Sequence, residues 1–109
     1  MQIRNLAEVT EQEPIPGFHA KFVHSANVTV SYWDVQAGAV LPEHAHPHEQ
    51  ISNILAGEFE LVVDGESCVL TANSVAVIPP EAKHSGRALT ACRIIDVFYP
   101  VREDYRERE

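Results

Sequence analysis

The chain has few basic residues and no long apolar segment. Its 109 residues include 8 Lys and Arg against 16 Asp and Glu, so the formal net charge is −8. A surface of this charge repels the phosphates of nucleic acids and of anionic lipid headgroups. No segment approaches the roughly 20 apolar residues that cross a bilayer. Nucleic acid and membranes are therefore poor partners for this protein.

Cysteine is scarce as well, and no secretory signal is recognisable. Cys68 and Cys92 lack the C-x-x-C or C-x-x-H spacing of a metal or redox motif. We interpret them as unpaired, small apolar residues in strands of a protein from a reducing compartment. The opening segment MQIRNLAEVTEQEP has no apolar core of the kind a signal peptide needs. These features predict a cytoplasmic protein.

The apolar residues that are present alternate with a period of two, which is typical of β-strands. The segments with this pattern are 27–35, 58–63, 67–70, 74–78 and 92–99. Asp64-Gly65 supplies the positive φ angles of a tight hairpin turn, and prolines end two of the strands. Helical periodicity is weak and confined to 6–11 and to the charged tail EDYRERE. Many short strands in a chain of this length predict one all-β domain over residues 1–109, a β-barrel of jelly-roll type.

Three of the 6 histidines lie at alternate positions in the stretch His44, His46, His48. Residues at i and i+2 of a strand point to one side, so His44 and His46 can direct two imidazoles at one point inside a barrel. Gln50 has the same parity, and His84 follows a strand end at Pro79-Pro80. Three neutral imidazoles and an amide oxygen suit one divalent transition metal ion such as Zn, Ni, Fe, Mn or Co. These four residues are the predicted metal ligands.

Other polar residues near this run leave alternatives open. Pro47 interrupts the chain before His48, which either binds the metal or orients one of its ligands. Glu49 is either solvated or catalytic. The sequence neighbours of His19 and His24 offer no second ligand, and we treat these histidines as ordinary polar residues.

The histidine run resembles the first motif of the cupins. In that motif a glycine is followed by five residues, H-x-H, three or four residues, a glutamate, six residues and a glycine. Here it reads from Gly38 through His44 and His46 to Gly57, with Gln50 in place of the glutamate. The second motif normally has G-D, then P-x-G and a histidine; this chain has Ala72-Asn73, Pro79-Pro80-Glu81 and His84. The resemblance implies the cupin fold, a double-stranded β-helix.

A closer resemblance is to the pectin-degradation cupins of the KdgF type. It rests on HAHPHEQIS with glutamine as fourth ligand, on IPPEAKHSGRAL around His84, and on DVFYPVREDY from Asp96 to Tyr105. It implies a cytoplasmic enzyme of uronate metabolism that converts 4,5-unsaturated monouronates, the end products of pectin and alginate lyases, to linear keto forms. In that family His44, His46, Gln50 and His84 would match the metal ligands. Asp96, Phe98 and Arg102 would match the residues around the substrate.

The strand pattern makes Asp96 unusual independently of any family. In the segment 92–99 it shares a face with Ile94 and Phe98, so it points into the barrel or to an apolar subunit interface. A buried carboxylate costs several kcal/mol unless it is paired, which a catalytic task or a nearby metal would justify. The structural alternative is an ion pair with Arg87 or Arg93. Arg102 is either a carboxylate clamp or a surface charge.

Two other function classes remain open at this point. One is a different metal-dependent cupin enzyme, a dioxygenase or a sugar or keto-acid isomerase, because this barrel hosts many chemistries. The other is a non-catalytic cupin that binds a small molecule. The apolar outer faces of strands such as 92–99 exceed what a small monomer needs, which predicts a homodimer.

Overall fold

The computed structural model describes residues 1–107, and the last two residues of the predicted helical tail lie outside that range. A 3-10 helix at Leu6–Glu8 comes first. The strands are β1 (Gln12–Ile15), β2 (Phe18–His24), β3 (Thr29–Val35), β4 (Val40–His44), β5 (Glu49–Ala56), β6 (Phe59–Val63), β7 (Glu66–Leu70), β8 (Val75–Ile78), β9 (His84–Ala88) and β10 (Cys92–Tyr99). A single helical turn, α1 (Glu103–Arg106), follows.

The strands form two antiparallel sheets that face each other. One has six strands in the order β1-β2-β3-β10-β5-β8, and the other has four in the order β4-β9-β6-β7. Neighbours in a sheet are mostly distant in sequence, as in a jelly roll. The predicted all-β jelly-roll fold is therefore confirmed, and no helix of the described part is long and apolar enough to cross a membrane.

Local signals in the sequence explain several of the turns. Asp64 and Gly65 join β6 to β7 with φ angles of 48° and 80°, as the hairpin prediction requires. Gly57 joins β5 to β6 at φ +88°, where a Cβ would collide with the carbonyl oxygen of Ala91. Only glycine fits that close approach, which explains the glycine at the end of the first motif.

The interior between the sheets is apolar at one end. Its buried members include Phe18, Phe22, Trp33, Ile54 and Phe59, and the aromatic rings meet edge to face. Each such side chain contributes about 1.5–3 kcal/mol through burial. Cys92 belongs to this core and Cys68 is exposed, and both are free thiols, as expected.

The C-terminal segment packs across one end of the barrel. The Tyr105 ring stacks on Phe22 with 4.3 Å between centroids and meets Trp33 and Phe98 edge to face. The short α1 therefore gains its stability from packing of one aromatic residue, since a single turn is not stable by itself. This packing brings the residues after β10 to the interior of the barrel.

Candidate metal centre and its surroundings

Three histidines converge at one end of the interior. His44 ends β4 and His84 begins β9, and the two are direct partners across these neighbouring strands. His46 lies beyond the end of β4, in the connection to β5, and its carbonyl oxygen accepts a hydrogen bond from Glu81 N at 2.8 Å. The expectation that His44 and His46 share a strand face is therefore wrong, because the turn after β4 positions His46. The potential ligand atoms of the three residues all lie within 4.8 Å of one another.

The hydrogen bonds of these imidazoles determine which nitrogen is free. Each Nδ1 faces a main-chain carbonyl oxygen, which can only accept a hydrogen bond. The carbonyls belong to Pro42 for His44, to His48 for His46 and to Ala82 for His84, at 2.9, 3.0 and 2.9 Å. Each Nδ1 therefore carries the proton, and in the neutral ring each Nε2 presents its lone pair, as a metal ligand requires.

The environment keeps two of these rings neutral and leaves their Nε2 atoms without a proper donor. Burial, followed by the charge of Arg102, lowers the pKa of His46 to about 4, and burial also lowers the pKa of His84. The Nε2 atom of His84 is buried and has no hydrogen-bond partner among the described residues. The Nε2 atom of His46 lies 3.1 Å from Gln50 Oε1, so two lone pairs face each other. A divalent cation between these atoms would satisfy all of them, and the donor set fits such an ion.

A glutamate occupies the position where the second cupin motif has glycine. Glu81 has a φ of +67°, in the left-handed region that favours glycine. Its amide holds the carbonyl of His46, and His84 follows three residues later. The loop thus keeps the backbone shape of the motif although the glycine is missing, which explains why the histidine is still correctly placed.

A chain of side-chain hydrogen bonds runs within the six-stranded sheet, from Gln50 on β5 to Asp96 on β10. Gln50 Nε2 donates to Ser52 Oγ at 3.0 Å, and the Ser52 hydroxyl donates to Asp96 Oδ1. Gln50 and Ser52 are alternate residues of β5, and Asp96 is the direct partner of Ser52 on β10. All three side chains are buried. The register of two strands therefore joins the candidate ligand to the predicted catalytic carboxylate.

Asp96 is a buried carboxyl group inside the barrel, flanked by Ile94 and Phe98 as the alternation predicted. Burial raises its pKa to about 6, although hydrogen bonds from Ser52 and Gln50 oppose this shift. The alternative ion pairs are wrong. Arg93 bonds to Asp34 and Arg87 lies 3.6 Å from Glu60, both on exposed surfaces.

Arg102 lies in the same interior, so the surface-charge alternative is wrong for it too. Its side chain is only 8% exposed, and its Nε and Nη2 atoms donate to the two carboxylate oxygens of Asp104 at 3.0 and 2.8 Å. The guanidinium carbon lies 4.7 Å from the Phe98 ring centre and 4.0 Å from that of Tyr105. Both ring contacts and the ion pair hold this cation in one orientation.

The remaining polar residues of the run play smaller parts. His48 is outside the cluster of three, but its carbonyl accepts the Nδ1 proton of His46 and so orients that ring. Glu49 is exposed on the outer face of β5, which is the solvated alternative. His19 lies 3.6 Å from Glu11, a partner that its immediate neighbours in the sequence did not suggest.

One cavity of about 460 Å³ connects these groups. Its lining combines apolar side chains of both sheets with the polar side chains His44, Gln50, Ser52, His84, Asp96 and Arg102. An apolar chamber with a few convergent polar groups is the usual form of a small-molecule site.

Sequence reasoning missed three residues that line this cavity or bond to its members. They are Ser52, Asp104 and Tyr105. Ser52 could have been found, because it shares the parity of Gln50 in β5 and so points to the same side of the strand. Asp104 and Tyr105 carried no such signal, because only the fold of the C-terminal segment brings them here.

Comparisons with known proteins agree on one family. The cupin domain profile matches residues 31–98. The pectin degradation protein KdgF of Dickeya dadantii is 33% identical over 70 residues, which are 62% of this chain and 64% of that protein. This chain thus matches less than two thirds of that relative's length.

Two solved structures resemble the chain over nearly all of both lengths. KdgF from Halomonas sp. superposes with a TM-score of 0.88 at 29% identity, covering 96% of this chain and 98% of that one. An RmlC-like cupin from Shewanella frigidimarina superposes with a TM-score of 0.90 at 28% identity, covering 96% of each chain.

Proposed function

Since the chain belongs to the cupin family, we propose that it is a metal-dependent enzyme that converts 4,5-unsaturated monouronates to linear 4-deoxy-5-keto-uronates. Residues 1–109 would act as a single cupin domain. The observation that carries this proposal is one cavity lined by His44, His84 and the buried Asp96, with His46 completing a cluster of three imidazoles whose potential ligand atoms lie within 4.8 Å of one another. The similarity of the chain to two KdgF proteins supports the choice of substrate class.

The metal would be held by the Nε2 atoms of His44, His46 and His84 and by Gln50 Oε1. A divalent ion there supplies Lewis-acid stabilisation of negative charge on a substrate oxygen, which is worth several kcal/mol. Gln50 is neutral, so it would offset less of the positive charge of the metal ion than a glutamate would.

The reaction is an isomerisation that needs no co-reactant. In the unsaturated uronate, the ring oxygen joins the enol-ether carbon C5 to the hemiacetal carbon C1. Removal of the proton from the C1 hydroxyl forms the aldehyde as the C1–O bond breaks, and its electron pair stays on the C5 oxygen. Protonation of C4 then turns this enolate into the C5 ketone, so one proton is removed and one is added, and the atoms of substrate and product balance.

Asp96 would move the proton in this sequence. Its raised pKa of about 6 places the carboxyl near the working range of a general acid and base. It would accept the hydroxyl proton and deliver one to C4. Its bond from Ser52 uses one oxygen, Oδ1, and holds the group in place.

Arg102 and Phe98 would bind the uronate itself. Asp104 engages Nε and one hydrogen of Nη2, and a guanidinium has five N–H donors, so others would bind a substrate carboxylate. Phe98 forms an apolar wall beside His46, with 5.7 Å between ring centres. An acidic protein needs such a local cation to take an anion.

The outer face of the six-stranded sheet supports the predicted homodimer. A row of β-branched apolar residues crosses five adjacent strands in register, formed by Val23, Val30, Val97, Ile51 and Val77. Val77 is 65% exposed at the edge of this row, and Tyr99 nearby is 59% exposed. A second copy would cover this face. We expect sedimentation to show a dimer that Val97→Lys converts to a monomer, and a monomeric wild type would contradict this.

The function is tested with unsaturated galacturonate or mannuronate freshly produced by a lyase. Metal-loaded protein should speed the loss of absorbance from the conjugated 4,5 double bond beyond the spontaneous rate. A chelator should remove this acceleration, and readdition of the metal should restore it. No acceleration by protein with a full metal site would contradict the proposed reaction and favour another cupin enzyme or a binding protein.

A further inference from the structure

Gln50 has two chemically different ends, and only one of them can bind a cation. The carbonyl oxygen Oε1 has lone pairs, whereas the amide nitrogen Nε2 carries two hydrogens. In the structure Oε1 faces His46 Nε2 and Nε2 faces Ser52. Rotation of the amide by half a turn would fit the same space and point two hydrogens at the metal centre. Some interaction must therefore select the orientation with oxygen towards the histidines.

The hydrogen bonds of Ser52 and Asp96 make this selection, since Gln50 bonds to the Asp96 carboxyl as well as to the Ser52 hydroxyl. The Ser52 hydroxyl has a single hydrogen, which it donates to the Asp96 carboxylate, a group that accepts when ionised. The oxygen of Ser52 then offers only lone pairs to Gln50, so the amide must present its N–H side, as it does at 3.0 Å. Ser52 is 7% exposed, so exchange with bulk water is restricted.

We propose that Ser52 is a positioning residue that holds the Gln50 amide with Oε1 towards His44, His46 and His84, and thereby raises metal affinity without touching the ion. This inference rests on the proposed metal site. The need for it arises from glutamine at this position. A glutamate offers oxygen in either orientation, so it would not depend on Ser52 in this way.

The test measures Zn²⁺ affinity of metal-free protein by competition with a chromophoric chelator, and it does not use activity. Ser52→Ala should bind Zn²⁺ about ten- to a hundredfold more weakly, the range typical of residues that orient a metal ligand. Ser52→Thr keeps the hydroxyl and is the matched control, with affinity within about threefold of wild type. In a Gln50→Glu background, Ser52→Ala should change the affinity by less than about threefold.

Two results would overturn the inference. One is unchanged Zn²⁺ affinity in Ser52→Ala. The other is an equal loss in the wild-type and Gln50→Glu backgrounds, which would indicate a general effect on packing. Circular dichroism and thermal unfolding of the metal-free variants check the fold, and Ser52→Cys, with a weakly bonding thiol, provides the same comparison if the alanine variant does not fold.

The test of Ser52 and the test of the proposed function give results that can be distinguished. Zn²⁺ binding with the expected pattern and no ring-opening activity would contradict the function and support the role of Ser52. Failure of wild-type protein to bind Zn²⁺ would remove both the metal site and this inference.

Discussion

The two sheets build their parts of the cavity in different ways. The four-stranded sheet supplies His44 and His84, whose rings are oriented by main-chain carbonyl oxygens. The six-stranded sheet supplies Gln50, Ser52 and Asp96, which orient one another through side chains. A ligand held by the backbone tolerates changes among its neighbours, whereas a side-chain chain depends on the identity of every member. The metal-binding wall formed by His44 and His84 should therefore tolerate changes among its neighbours, whereas the proton-handling wall formed by Gln50, Ser52 and Asp96 should respond to small changes in any of its members.

The largest effect is expected on the four-stranded side. His84→Ala removes a buried ligand, so Zn²⁺ affinity should fall more than a hundredfold and chelator-sensitive activity should disappear. Chelator competition measures the Zn²⁺ affinity, and the absorbance assay measures the activity. His19→Ala removes a histidine outside the cavity and should leave both unchanged. Metal binding that survives in His84→Ala would show that His84 is not a ligand.

The next effect distinguishes proton transfer from metal binding. Asp96→Asn keeps the size and an oxygen that can accept the Ser52 hydrogen, but it removes the acid and base. Ring opening should slow by about 10²- to 10⁴-fold while Zn²⁺ affinity stays within a few-fold. Full activity with bound metal would rule out a proton-transfer role for Asp96.

The free energy of unfolding of the metal-free protein should also depend on pH, through Asp96 of the six-stranded sheet. The pKa of Asp96 is about 6 in the folded protein, above its ordinary value of 3.8, so the folded state holds this proton more tightly. Its contribution to the free energy of unfolding is present below about pH 4 and is lost as the pH rises through about 6. The loss amounts to about 3 kcal/mol.

Urea unfolding of wild type and Asp96→Asn across this pH range measures that contribution. The variant cannot ionise at this position, so it should gain stability relative to wild type as the pH rises. A constant difference between the two proteins would contradict the raised pKa.

A smaller effect is expected for the cation that belongs to neither sheet. Arg102→Lys keeps the charge but loses the planar fork between Phe98 and Tyr105, so the KM for the uronate should rise about ten- to a hundredfold. Because the lysine leaves the metal-binding wall intact, Zn²⁺ affinity should not change. A KM equal to that of wild type would exclude Arg102 as the carboxylate clamp.

Sequence reasoning located the segments of five of the ten strands in the described residues, because β-alternation is a local signal. The segment 92–99 matches β10 at both ends, and the Asp64-Gly65 turn was recognisable from residue type alone. The 3-10 helix, Leu6–Glu8, is shorter than the predicted helical segment 6–11, because the backbone is already extended at Val9, with φ −79° and ψ 129°. The alternate spacing indicated His44 and His46, and the strand end at Pro79-Pro80 indicated His84, although His46 lies beyond the end of β4.

The sequence by itself determined the class of the fold, the identity of the candidate ligands and the burial of Asp96, because alternation, turn residues and motif spacing are properties of neighbouring positions. Only the tertiary structure decided which nitrogen of each histidine is free, that Ser52 joins Gln50 to Asp96, and that Asp104 and Tyr105 hold Arg102. The contact between Ser52 and Asp96 connects residues 44 positions apart, whereas the others join near neighbours whose side chains are oriented by the backbone around them. Sheet register and the packing of the C-terminal segment create these contacts, and neither is encoded in any short stretch of sequence.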